Sequence, residues 1–400
     1  VSRPALPDGL SDGLSDLGIA WTAGLPSGWG TYGLNLALEA RLAGVRPHLF
    51  FLPDSLPLDP ARRFVLEPAL RDHVRLRHLL DSHGGGAFPY PVLHALGDRL
   101  SFPPETRHLN GRPDIGVVFL EHTDIPPENL ETAAGLARVI TGSTFNHRAL
   151  AEAGLTNLAF CPQGIDPALF HPAPRRGLFA GRFAVFAGGK LEYRKGQDIT
   201  LAAFKTFARR HPEALLVTAW HNRWPASLAS IANAPHSQGQ PRHRPDGSLD
   251  IAGWAADNGL DPAQVLDLGE LDHRLTAPIL RECDAALLPS RCEGGTNLVA
   301  MEAMACGLPV ILSANTGHLD LIGPERCLSL DSQIDLGQIS GTPGLAGWGD
   351  SLPDEATAAL ENLHADPDLR HRLGTTAARF MAGWTWGAQI RRLLDALAGV

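Results

Sequence analysis

Lysine is scarce in this chain. Of 34 basic residues only Lys190, Lys195 and Lys205 are lysines, and acidic residues outnumber the basic ones to give a net charge of −9 over 400 residues. That balance removes the broad attraction that draws proteins onto nucleic acid or an anionic bilayer, so any anion site must be local. No uncharged apolar run reaches the roughly 18 residues of a membrane span. The first residues, with Asp8, Asp12 and Asp16, lack the basic-then-apolar block of a secretory signal. The expectation is a cytoplasmic protein with no nucleic-acid partner and no more than a weak peripheral membrane contact. The five cysteines (Cys161, Cys283, Cys292, Cys306, Cys327) form no Cys-x-x-Cys pair, which speaks for reduced buried thiols rather than a disulfide frame or zinc motif.

What the chain has is length and alternation. Four hundred residues exceed what one core usually organises, so two domains are expected. Short β-rich apolar runs at 18–24, 48–52, 115–120, 137–142 and 158–162 alternate with helical patterns, and the alternation resumes at 182–189, 214–220, 265–269, 285–289 and 309–313. This is the α/β pattern of parallel, doubly wound, Rossmann-like sheets. The Pro- and Arg-containing stretch 170–182 reads as the linker. The division is 1–172, 173–380 and a final segment 381–400, in which Thr385 caps a helix with Trp386, Ile390, Leu393, Leu394 and Leu397 on one face. Residues 233–249, polar and rich in Pro and Gly, read as a mobile surface insertion in which His236 and His243 offer no metal geometry.

Two stretches carry chemistry. Leu287–Ile311 reads as strand, tight loop, helix and strand, with Thr296 as the expected cap and Gly307 and Pro309 as the stop. Gly294 and Gly295 leave bare amides at the positive end of that helix, an anion site suited to a diphosphate. Glu293 and Glu302 flank it as acceptors suited to sugar hydroxyls, although isolated glutamates of this kind are more often solvated. In Arg182–Asp198 a strand ends in Gly188-Gly189, and Lys190 and Lys195 follow in the next loop. In a chain that uses arginine almost everywhere else, two ammonium groups there are placed to neutralise a leaving diphosphate.

Gly188-Gly189-Lys190-Leu191-Glu192-Tyr193-Arg194-Lys195-Gly196, Pro162-Gln163-Gly164-Ile165-Asp166 with Phe170-His171-Pro172, and Glu302-Ala303-Met304-Ala305-Cys306-Gly307-Leu308-Pro309-Val310, in their order along the chain, resemble the retaining glycosyltransferase family 4. The resemblance implies the GT-B fold, two Rossmann-like domains facing across a cleft. It implies transfer of a sugar from a nucleotide sugar such as a UDP- or GDP-sugar, with retention, to an acceptor glycan, lipid-linked sugar or other hydroxyl compound, hence a hexosyltransferase-type role in glycan biosynthesis. By the same resemblance Lys190 and Lys195 hold the donor diphosphate, Glu302 the ribose, Glu293 the transferred sugar, Asn297 and Leu298 the phosphate or sugar at the helix start, and His122 the donor sugar. No cofactor or metal is expected, since cations and a helix terminus already meet the diphosphate. The spacing from Glu293 to Glu302 is one residue longer than the family's, Lys190 replaces an arginine, and Val217–Asn222 lacks the family's Gly-x-Gly turn.

Gly28, Gly30 and Gly33 spell G-x-G-x-x-G, a weak dinucleotide signal by itself. An oxidoreductase would leave the lysine pair and the glutamate-flanked helix without a task. In the glycosyltransferase reading Ser27–Thr31, with Gly28 and Gly30, forms a flexible loop over the donor phosphates or the acceptor, and the loops 24–33 and 82–92 shape the acceptor site. Asp366-Pro367-Asp368 matches a metal-nucleotide pattern but sits where a helix cap is expected. A nucleotide-sugar epimerase of the same architecture and a non-catalytic nucleotide-binding relative remain the alternatives.

Overall fold

The computed structural model describes residues 14–24, 27–56 and 58–400; Asp8 and Asp12 lie outside the described residues. Two six-stranded parallel sheets organise the molecule, with two short two-stranded sheets beside them. The first runs in the order Arg46–Phe51, Asp16–Thr22, Val92–Leu96, Asp114–Val118, Arg138–Thr141, Leu158–Phe160. The second runs Val265–Asp267, Ala214–His221, Phe183–Lys190, Ala285–Leu288, Val310–Ser313, Leu328–Leu330. Helices cover both faces, so the central strands are apolar throughout; Val185, Phe186, Ala286 and Leu287 are all buried. This is the GT-B architecture.

Within the two six-stranded sheets the sequence misses two strands, Val92–Leu96 and Leu328–Leu330, and outside them it misses the short pairs Gly86–Ala87 with Leu109–Asn110 and Gln333–Asp335 with Gly349–Ser351. Val92–Leu96 lies beyond the Gly/Pro signals of 84–91, yet it is a central strand of the first sheet, so residue 92 belongs to the core rather than to an acceptor loop. The segment 233–249 also differs from expectation. His236 Nε2 meets Asp350 Oδ2 at 2.9 Å, Trp254 Nε1 donates to Gln238 O at 2.9 Å, and the Arg244 amide donates to Ser248 O at 2.8 Å. Tertiary hydrogen bonds hold a composition that reads locally as loose.

Helix starts follow their caps. Ser27 Oγ accepts the Gly30 amide at 3.1 Å and opens the helix Gly28–Leu42, so residues 28–31 are a helical turn and not a flexible loop. Asp59 and Pro60 open Pro60–His83, and Asp366 accepts the Leu369 amide to cap Pro367–Met381.

The chain crosses between the two sheets twice, at adjacent places. The Ile165 amide donates to Trp384 O at 2.9 Å and the Trp386 amide to Ile165 O at 3.0 Å. Beyond the first crossing, Phe170 is already in the core beneath the second sheet, and the amides of Arg176, Gly177 and Leu178 converge on the Glu282 carboxylate. Beyond the second, Thr385 caps the helix Trp386–Leu397, whose buried Trp386, Ile390, Leu393, Leu394 and Leu397 pack with Leu36, Ala37 and Ala40 of the first domain.

Candidate active site

The carboxyl ends of the two central strands of the second sheet converge on one cleft wall. Strand Phe183–Lys190 runs out through Gly188-Gly189 into the turn Tyr193–Lys195, and Ala285–Leu288 into the loop that starts the helix Leu298–Ala305. Gly196, at φ +67°, locks the two loops together: a Cβ there would come within 2.1 Å of Pro289 O.

Asn297, rather than the expected Thr296, caps the helix. Asn tolerates the positive φ of 69° that the tight loop imposes; its Oδ1 accepts the Ala300 amide at 3.3 Å, and its Nδ2 donates to Glu293 Oε1 and to His318 Nε2, both at 3.0 Å. Thr296 is fully buried, its hydroxyl 2.9 Å from Met301 Sδ. Leu298, the first helical residue, packs against apolar side chains of both domains.

Glu293 and Lys195 are brought into direct contact. Lys195 Nζ lies 2.8 Å from both Glu293 oxygens, and Arg194, Ser290 and Asn297 supply further donors at 3.1, 2.7 and 3.0 Å. Burial raises the Glu293 carboxyl, but Lys195 and Arg194 outweigh it and hold it down at about 2. Lys190 Nζ reaches Glu192 Oε2 at 2.8 Å and lies 4.9 Å from the centre of the Trp224 ring. Burial also acts to raise Glu192, and Arg194 and Lys190 pull it down to about 2.

Arg194 is the hub that the sequence reading passed over. Largely shielded from solvent, it meets Glu192 at 2.7 Å, Glu121 at 2.9 Å and Glu293 at 3.1 Å, and donates to Cys292 O at 2.8 Å. It sits inside the quoted Gly-Lys…Lys-Gly segment, adjacent to Lys195; its type, common in this chain, hid it. Three carboxylates and three cations thus balance in the cluster. Glu121 belongs to the first domain, and burial raises its carboxyl against the pull of Arg194.

His122 follows directly. Its Nδ1 lies 2.6 Å from Asp98 Oδ2, while Asp98 Oδ1 accepts the amides of Glu121 and His122, each at 3.0 Å. Burial raises Asp98, and these bonds overcome it, leaving the carboxyl at about 2. The ionised carboxylate makes Nδ1 a donor and fixes the ring, which also packs on Trp348 at 5.1 Å.

Other contacts close the two walls together. Ser143 Oγ donates to Gly294 O at 2.7 Å, Trp348 Nε1 to Glu121 O at 2.8 Å, and the Thr144 amide to Asp320 at 2.9 Å. Gly294 is needed for this approach, since a Cβ there would meet Phe119 O at 2.6 Å. Gly295 lies beside the Phe119 ring, and Trp29, between Gly28 and Gly30, packs edge-on against the same ring at 4.9 Å. Gly28 is exposed and Gly30 buried at that border.

Glu302 stands apart from this cluster. It is buried in the second turn of the helix, and His273 Nε2 meets its Oε1 at 2.6 Å. Burial pushes His273 down, but Glu302 more than compensates and raises it. Sequence spacing carries no sign of this pairing. In the segment Val217–Asn222, where the Gly-x-Gly turn is absent, Trp220 is core packing against Trp254, and Asn222 ties Leu191 O to the Trp224 amide.

Residues 181–333 match the family model described as glycosyl transferases group 1. The chain is 26% identical to a D-inositol 3-phosphate glycosyltransferase of Kineococcus radiotolerans, over 92% of this chain and 89% of that one. It is 24% identical to a GDP-mannose-dependent alpha-(1-6)-phosphatidylinositol monomannoside mannosyltransferase of Mycolicibacterium smegmatis, over 85% and 83%. Among solved structures it is similar to a sucrose-phosphate synthase of Thermosynechococcus elongatus (TM-score 0.64, 17% identity, 95% and 97% covered). It is also similar to Anabaena HepE in complex with UDP-glucose (TM-score 0.62, 16% identity, 97% and 100% covered). Two facing Rossmann-like domains with this cleft wall define a GT-B enzyme. The chain is a glycosyltransferase related to the family 4 enzymes.

Proposed function

We propose that the enzyme moves a sugar from a nucleoside-diphosphate donor to an acceptor hydroxyl with retention of anomeric configuration. The observation that carries this reading is the wall formed by Lys190, Lys195 and the Asn297-capped helix start at the carboxyl ends of the central strands. Residues 173–380 take the donor, residues 1–172 the acceptor, and the segment 381–400 braces the first domain. Lys190 and Lys195, each paired with a glutamate, exchange those partners for the donor diphosphate. Amides of Gly294 to Leu298 meet the same charge, and no metal is required for the step. Freed of Lys195, Glu293 accepts sugar hydroxyls; Glu302, oriented by His273, accepts those of the ribose; and His122, oriented by Asp98, faces the sugar. The bond from the anomeric carbon to the diphosphate breaks as the acceptor hydroxyl attacks from the same face, and the hydroxyl proton passes to an oxygen of the departing diphosphate.

Five buried free cysteines and the net charge of −9 support a cytoplasmic setting without a nucleic-acid partner. A weak peripheral membrane contact is supported by exposed Phe64, Val74 and Leu79 on the helix Pro60–His83, beside Arg63, Arg71 and Arg75. Among the described residues no helix is long and apolar enough to cross a membrane.

The test is calorimetry with UDP, GDP, ADP and CDP, with and without magnesium. Selective binding of one diphosphate that does not depend on magnesium is expected. Binding of none, or binding that requires the ion, would overturn the donor-site assignment.

A further inference from the structure

At the opposite end of the second sheet, His211, Glu213 and His364 place one ligand atom each within 4.8 Å of one another. Glu213 Oε1 lies 2.9 Å from His364 Nε2 and 3.5 Å from His211 Nδ1. Around a tetrahedral zinc ion with bonds of roughly 2.0–2.1 Å, neighbouring donor atoms stand about 3.3–3.4 Å apart. The two edges at Glu213 bracket that length, and the two histidine donors lie within 4.8 Å of each other.

The surroundings agree. His211 Nε2 is 2.8 Å from Glu361 Oε2, and Arg210 holds the other Glu361 oxygen at 2.9 Å. A proton on Nε2, donated to that carboxylate, leaves Nδ1 with its lone pair toward Glu213. That is the carboxylate–histidine–metal arrangement by which a ligand imidazole is oriented and made more basic. The two rings are packed 4.0 Å apart, with Phe207 4.4 Å from His211 and Phe183 4.9 Å from His364, so apolar neighbours hold both imidazoles in place. The residues are half-buried, which leaves a path for an ion and a position for a water ligand.

We infer that His211, Glu213 and His364 form a binding site for one divalent transition-metal ion of the zinc type, with Glu361 orienting His211. The ion takes the place of the proton between His364 and Glu213. It ties the turn after the helix Gln197–Ala208 and the start of the strand Ala214–His221 to the end of the helix Pro353–Ala365. The strand's eight residues put it about 25 Å from the cleft. The site is therefore structural, and it stands or falls independently of the donor reading.

The experiment strips the full chain with EDTA, dialyses it against ZnCl2, and measures retained zinc by elemental analysis, with Co2+ absorption as a second readout of coordination. About one equivalent is expected, with a tetrahedral Co2+ spectrum and a higher Tm for the loaded protein. Affinity should fall at least about tenfold in His364→Ala and His211→Ala, and about tenfold in Glu361→Gln, whose side chain touches no metal. Circular dichroism checks that each variant is folded. Retention well below one equivalent, or equal retention by folded His364→Ala, would overturn the site and leave the cluster as plain histidine–carboxylate pairs.

Discussion

Glu293 is buried among four donor side chains, and two of them, Lys195 and Arg194, are cations. Its ionised form is stable only because they are there. Lys195→Ala therefore removes both the proposed diphosphate contact and the partner of a buried carboxylate. Turnover should drop by roughly 100-fold or more, the scale of losing one preorganised charge-stabilising donor. Steady-state assays with the donor found by calorimetry measure this, and near-normal kcat would take Lys195 out of the reaction. His318 supplies a pH signature. Burial drives it down to about 4 against the attraction of Glu293, and its Nε2 accepts from Asn297. An unfolded imidazole titrates near about 6.5. Between those values the unfolded chain binds a proton that the folded chain refuses, so stability falls as pH drops through that window. In urea unfolding at pH 7, 6 and 5, His318→Gln should lose a slope of up to about 1.4 kcal/mol per pH unit relative to the parent. Parallel slopes would show that His318 does not titrate in this way.

Among the elements, the helix Trp386–Leu397 has the plainest energetics. It follows the second domain in sequence, yet its apolar stripe is buried on the first. Each such side chain contributes about 1.5–3 kcal/mol by leaving water. Leu393→Ala should cost about 2–5 kcal/mol in chemical denaturation, because the rigid surface of the helix Gly28–Leu42 closes poorly over the cavity. The same change made on the exposed Leu42 should cost less than about 0.5 kcal/mol. Thr385 and the five apolar positions made this helix legible beforehand, since a cap and a 3.6-residue period are local properties. The helix start at Gly28 was misread because glycines suggest a loop, whereas Ser27 supplies the cap that decides the matter.

At the scale of the whole molecule, Glu121 and Arg194 join the two domains through charge. Burial outweighs the pull of Arg194 on the Glu121 carboxyl, and Arg194 keeps Glu192 and Glu293 when Glu121 is neutralised, so Glu121→Gln should cost no more than about 1 kcal/mol of stability. It should also favour a more open arrangement, read as a larger radius of gyration in small-angle scattering. Identical scattering and stability would mean that Ser143–Gly294 and the neighbouring contacts hold the domains without it. Because the cluster is balanced three against three, a bound diphosphate adds uncompensated negative charge. The glutamates now on Lys190 and Lys195 must then turn to hydroxyl donors, which the sugar supplies.

The sequence by itself determined the α/β class, ten of the twelve strands of the two six-stranded sheets, and the helix that starts just after Gly294 and Gly295. Those features rest on periodicity, caps and glycine placement within a few neighbouring residues. Only the tertiary structure decided that Arg194 is the hub, that Glu121 reaches it from the other domain, that His273 holds Glu302, and that Asn297 rather than Thr296 caps the helix. The first three depend on side chains far apart in the chain meeting in a buried, weakly screened space, where position rather than residue type determines which charges pair, and the cap depends on the positive φ that the tight loop gives Asn297.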